Sequence, residues 1–102
     1  MAEENKELSE EKLRELQFIQ YVSILANSAM QQLGKIMNPV TGKTEKNLEA
    51  AKATIDLLSL LKEKTKGNLT TNEEDVISNA LANLQLNYAD EVSRTEKESG
   101  KS

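Results

Sequence analysis

An all-α fold, three helices in an up-down arrangement with a long first helix and disordered tails, is what this sequence predicts. Two observations carry that prediction. Apolar residues recur at helical spacing in three separate stretches, parted by turn signals at 38–43 and at Gly67. No stretch alternates with a period of two, and β-branched residues are scattered, so a sheet is not expected. At 102 residues the chain supports one core. Residues 11–92 are read as the helical domain, between a flexible acidic tail at 1–10 and a flexible tail at 93–102.

Helix 1 is expected over 10–37. Phe18, Val22, Leu25, Ala29, Leu33 and Ile36 form its apolar stripe, widened by Ile19, Ala26, Met30 and Met37. Pro39 turns Asn38 away from helical dihedrals, which sets the expected end. Helix 2 is expected over 48–66. Asn47 is its N-cap, Leu48, Ala51, Ile55, Leu58 and Leu61 or Lys62 its stripe, flanked by Leu57 and Leu60, and Lys62, Lys64 and Lys66 complement the dipole at its end. Gly67 stands where a left-handed residue closes the helix. Helix 3 is expected over 71–89. It opens with a capping box, Thr70 with Glu73, and buries Ile77, Ala80, Leu81, Leu84 and Tyr88, with Val76 beside them. A fray is expected after Ala89.

Composition excludes most chemistry. There is no Cys, hence no disulfide framework, thiolate metal site or thiol nucleophile, and no His, the usual general base and commonest metal ligand. No cofactor is expected, and no enzymatic activity. Gly42-Lys43-Thr44 has the tail of a phosphate-binding loop, but Met37 stands where its first Gly is required. Glu73, Glu74 and Asp75 lack the alternating spacing of a calcium loop. Asp56 has no second acid or base beside it and reads as an ion-pair or boundary residue.

Charge is unevenly placed. Of the net −4, residues 1–15 carry −3 and residues 89–102 carry −1, while the stretch 16–88 is neutral. The acidic start lacks an apolar signal region, so a cytoplasmic protein is expected, and the sequon Asn68-Leu69-Thr70 has no meaning there. Lys43, Lys46, Lys64 and Lys66, in the two turns, are the candidate phosphate contacts. Solvated lysines near a helix end explain them equally well.

Helix 1 holds the unusual feature. From Leu16 through Gly34 there are nineteen consecutive residues without a charge. A membrane span of that length is ruled out by seven amide and hydroxyl side chains within it, so no membrane is expected. Ser23, Asn27 and Gln31 form a line opposite the apolar stripe, with Gln20 close by. An ordinary outer face carries Lys and Glu; an uncharged polar line is suited to another protein surface, where charge is costly to desolvate.

The string from Phe18 to Tyr88 resembles the bacterial domain-of-unknown-function 1844 family. Leu25-Ala26 with Ala29, Leu33-Gly34, Asn38-Pro39, Thr41-Gly42-Lys43, Leu48-Glu49-Ala50-Ala51 and Ile55-Asp56-Leu57-Leu58 carry the resemblance. So do Leu61, the run Lys64-Thr65-Lys66-Gly67-Asn68-Leu69-Thr70, which is the most specific piece, Glu73, and Leu81, Leu84 and Tyr88. The resemblance implies a small helical bacterial protein and brings no reaction, ligand or catalytic residue. The functional expectation is a non-enzymatic interaction module. It self-associates, a dimer being favoured, through Gln20, Ser23, Asn27 and Gln31, with another cytoplasmic protein as a further partner. The alternative is a nucleic-acid- or ribosome-associated accessory protein using the turn lysines.

Overall fold

A computed structural model describes the backbone of residues 2–100 and the side chains of 10–98. Three helices, α1 (Ala2–Gln32), α2 (Leu48–Lys64) and α3 (Thr71–Gly100), each pack against the other two. The short connectors fold α2 back along α1, and α3 then runs parallel to α1. Asn72 at the start of α3 donates to Glu15 of α1 at 2.8 Å, while Lys35, just past α1, reaches Asp90 near the far end of α3 at 3.0 Å.

The core follows the predicted helical spacing, except that Ile36 and Met37 of the first stripe and Leu57 and Leu60 flanking the second are exposed. Val22, Ala29 and Leu33 from α1 and its cap meet Ala51, Ile55 and Leu58 of α2 and Ile77, Leu81 and Leu84 of α3. Phe18, Leu25, Met30, Leu61 and Tyr88 pack around them. Truncating a fully buried Leu such as Leu58 or Leu84 to Ala costs about 2–5 kcal/mol, since it removes apolar burial and leaves a cavity.

Two helix starts follow the capping rules. The Asn47 side chain accepts from the Ala50 amide at 3.0 Å. Thr70 and Glu73 form the reciprocal box: the Thr70 amide donates to Glu73 Oε1 at 2.8 Å, and the Glu73 amide donates to Thr70 Oγ1 at 3.2 Å.

The end of α1 differs from expectation. The helix stops at Gln32, not Met37, because Gly34 takes a left-handed φ of +78°. The Gly34 amide donates to Gln31 and the Lys35 amide to Met30, both at 2.9 Å, which is the hydrogen-bond pair of a Schellman cap. Leu33 then bridges Lys46 in antiparallel fashion, and the Asn47 amide donates to the Gln32 carbonyl at 2.7 Å. Ile36 and Met37 leave the helical stripe and are exposed on the connector. Inside that connector Asn38 donates to Lys43 O and accepts from Gly42, each at 2.8 Å, so the Pro39 segment is a closed turn and not a helix stop.

The end of α2 is close to expectation. Its C-cap is Thr65, and Gly67, at φ +86°, is the third residue of a turn closed by the Asn68 amide on Thr65 O at 2.9 Å. Gly67 is left-handed as expected, but α2 ends at Lys64 rather than Lys66, so the residue directly after the cap is Lys66 and Gly67 belongs to the turn beyond it. α3 does not fray after Ala89; it continues to Gly100. Of the two expected tails, the side chains of residues 1–9 and 99–102 lie outside the described residues.

Candidate functional site

The outer face of α1 follows from the core-facing one. With Val22, Ala29 and Leu33 turned inward, helical geometry turns Leu13, Gln17, Gln20, Ile24 and Asn27 outward, away from α2 and α3, and leaves Gln31 at the edge where α1 meets the start of α2. Gln20, Ser23 and Asn27 are exposed as expected. Gln31 is half-buried, because it lines the polar cleft between α1 and the start of α2 with Ser28, Asn38 and Asn47. Ser23 stands beside the line formed by the other three rather than on it.

Sequence reasoning missed the apolar part of this face. Leu13, Leu16, Tyr21 and Ile24 are 56%, 51%, 65% and 56% exposed. Scattered exposed leucines are normal on a protein surface; here Leu13 and Ile24 stand on the outward line of the helix, with Leu16 on one flank and Tyr21 on the other. The signal was in the spacing. Leu13 and Ile24 fall in register with Gln20 and Asn27, not with Phe18 and Val22.

A second cluster joins three parts of the chain. Glu91 of α3 is 5% exposed. Lys35 Nζ is 2.8 Å from its Oε2 and Lys46 Nζ is 3.2 Å from its Oε1. Asp90 shares Lys35 at 3.0 Å, Arg94 lies 3.5 Å from Asp90, and Lys46 also donates to the Thr95 hydroxyl at 3.3 Å. The hydrogen bond from Lys35 holds the Glu91 carboxyl below its ordinary value; burial opposes it, and Lys46 adds to the lowering. Lys35 also lowers Asp90, and is itself raised by its hydrogen bonds to Glu91 and Asp90. The cluster fastens the α1–α2 connector to the last third of α3. With both carboxylates held by Lys35 and Glu91 held also by Lys46, the cluster reads as a structural anchor.

The four turn lysines do not form one surface. Lys43 and Lys46 belong to the connector before α2, whereas Lys64 ends α2 and Lys66 follows it, about 25 Å away along that helix. Lys46 is moreover not a freely solvated side chain, since it is committed to Glu91. Asp56 is an exposed partner of Lys52 at 2.9 Å, as its isolation in sequence suggested, and that hydrogen bond raises Lys52. Among the described residues no group of three or more acidic side chains is placed to hold a metal ion, and no helix is long and apolar enough to cross a membrane.

The fold and the site define a small three-helix bundle whose distinctive surface is an uncharged, partly apolar face on its first helix. The family model described as Domain of unknown function (DUF1844) matches residues 15–90, and the chain belongs to that family. The match takes in the α1 face from Glu15 onward, both turns and α3 as far as Asp90. No curated protein matches the chain, and no solved structure does.

Proposed function

We propose that this protein is a non-enzymatic, cytoplasmic interaction module that self-associates through the outer face of α1. The observation that carries the reading is the exposure of Leu13, Leu16, Tyr21 and Ile24 on a face that also lacks charge from Leu16 to Gly34. Solvent-facing helix surfaces have no reason to avoid Lys and Glu, and interface cores do. A three-helix chain of this length buries a modest core, and a second copy adds cover without a second gene product. The nucleic-acid alternative is weakened by the separation of Lys43 and Lys46 from Lys64 and Lys66.

Light scattering on the full chain at tens of micromolar tests the reading. A dimer is expected, and Ile24→Lys or Asn27→Lys should convert it to a monomer. Each substitution appears on both subunits and puts ammonium groups into a desolvated contact. Neither side chain is in the core, so the helical circular dichroism should be retained. A parent that is monomeric at that concentration, or variants whose mass is unchanged, would overturn it.

A further inference from the structure

We infer that two copies pair their α1 helices antiparallel, about a two-fold axis crossing the helix at the level of Val22. The inference rests on the self-association reading above and specifies its geometry. Leu13, Gln17, Gln20, Ile24, Asn27 and Gln31 follow one another at steps of four, three, four, three and four residues. That alternation is the spacing of a two-helix coiled-coil seam, here with Leu13 and Ile24 as its apolar positions and amides at the other four. It also reads the same from either end. Reversing one copy about Val22 brings Leu13 opposite Gln31, Gln17 opposite Asn27 and Gln20 opposite Ile24.

Each of those layers is chemically sound. At the centre, Ile24 of one copy covers the aliphatic stem of Gln20 in the other, and the axis repeats the contact. Outside it, the Gln17 and Asn27 amides are each both donor and acceptor and can satisfy one another. At the ends, Leu13 covers the stem of Gln31, which already stands half-buried against its own α2.

Charge selects this orientation over the parallel one. The next seam position before Leu13 is Glu10, three residues back. A parallel pair sets Glu10 against Glu10 and aligns two N-terminal segments that each carry −3 over fifteen residues. An antiparallel pair carries each acidic segment toward the partner's connector end. The connector, residues 33–47, carries Lys35, Lys43 and Lys46 against Glu45 alone, although Lys35 and Lys46 already pair with Asp90 and Glu91 of their own α3. The helix dipoles of α1 also oppose in that arrangement and add in the parallel one.

The chain has no cysteine, so introduced thiols report the register without competition. Full-length Gln17→Cys and Asn27→Cys proteins are oxidised mildly, alone and as an equimolar mixture allowed to exchange subunits. In the antiparallel register, position 17 of one copy lies beside position 27 of the other. Like positions are then about 15 Å apart along the axis, beyond disulfide reach. The mixture should therefore yield covalent dimer in several-fold excess over either variant alone. Each variant cross-linking as readily alone as in the mixture overturns the orientation and favours a parallel pair. A dimer by light scattering with no cross-link in any sample overturns the seam but leaves self-association standing. A monomeric parent overturns the underlying reading instead.

Discussion

Removing the charge of Glu91 while keeping its shape, by Glu91→Gln, isolates the anchor that fastens the connector to α3. Glu91 is 5% exposed and holds Lys35 at 2.8 Å and Lys46 at 3.2 Å, one on each carboxylate oxygen. A hydrogen bond to a charged group contributes about 1.5–3 kcal/mol when buried, and an exposed ion pair about 0–1 kcal/mol. The two lysine side chains keep 23% and 35% of their surface in water, which screens both contacts. The substitution should therefore cost about 1–2 kcal/mol in all, lowering Tm by roughly 4–16 °C for a domain of this size. The pH dependence has a definite sign. The folded carboxyl sits below its ordinary 4.5, so its stabilisation is present above that value and lost as pH falls through the lowered one. Thermal melts of parent and variant should thus differ most near neutral pH and converge as the pH falls below the ordinary carboxylate value. Asp90 is lowered as well and remains in the variant, so acid still destabilises it to a smaller degree. A variant that melts with the parent at neutral pH, or a gap that widens in acid, refutes the anchor.

Two further outcomes separate the turns from each other. Gly34→Val and Gly67→Val each force a β-branched residue into a left-handed φ, at a cost of about 1–2 kcal/mol in a urea titration. Gly34→Val should cost more, since its Cβ meets Lys46 Cβ at 3.4 Å while a Cβ at Gly67 has nothing within 4 Å; equal losses would contradict the packing of the connector. Joint charge reversal of Lys43, Lys64 and Lys66 should leave the melting temperature near that of the parent, and adding Lys46→Glu should lower it by placing like charge against Glu91. If RNA is retained by the parent at low salt and lost by the triple variant, the lysine turns bind phosphate and the nucleic-acid alternative regains its ground.

What the residues disclosed, and what they kept back, divides by sequence distance. Thr70 with Glu73, and Asn47 with Ala50, are satisfied within one helical turn, so their partners could be read off directly. Gly67 announced its own backbone, and the apolar stripes announced the core. The end of α1 was misplaced because Pro39 is the louder signal; Leu33-Gly34 held the cap, but the bridge from Leu33 to Lys46 depends on a residue thirteen positions on. Glu91 looked like one more charge past the fray expected after Ala89. Its partners Lys35 and Lys46 lie 56 and 45 positions away, and nothing local marks it as buried. The polar line of α1 was legible from its missing charges. Leu13, Leu16, Tyr21 and Ile24 were not, because an apolar residue on a helix is read as core until the helix is oriented.

The Glu91 anchor also sets an order of events during synthesis. Lys35 and Lys46 leave the ribosome early, and Glu91 only with the last turns of α3. Until then α1 and α2 can form a hairpin, while the connector's two ammonium groups have no acidic partner on α3 to close upon. Chains stopped short of Glu91 would retain most of the apolar core, since its last buried apolar member is Leu84, yet lack the clasp that fixes the connector. Such fragments should be collapsed and helical but open to proteolysis around Asn38–Lys43. Arrival of Glu91, rather than completion of the apolar core, is then the step that fixes the connector.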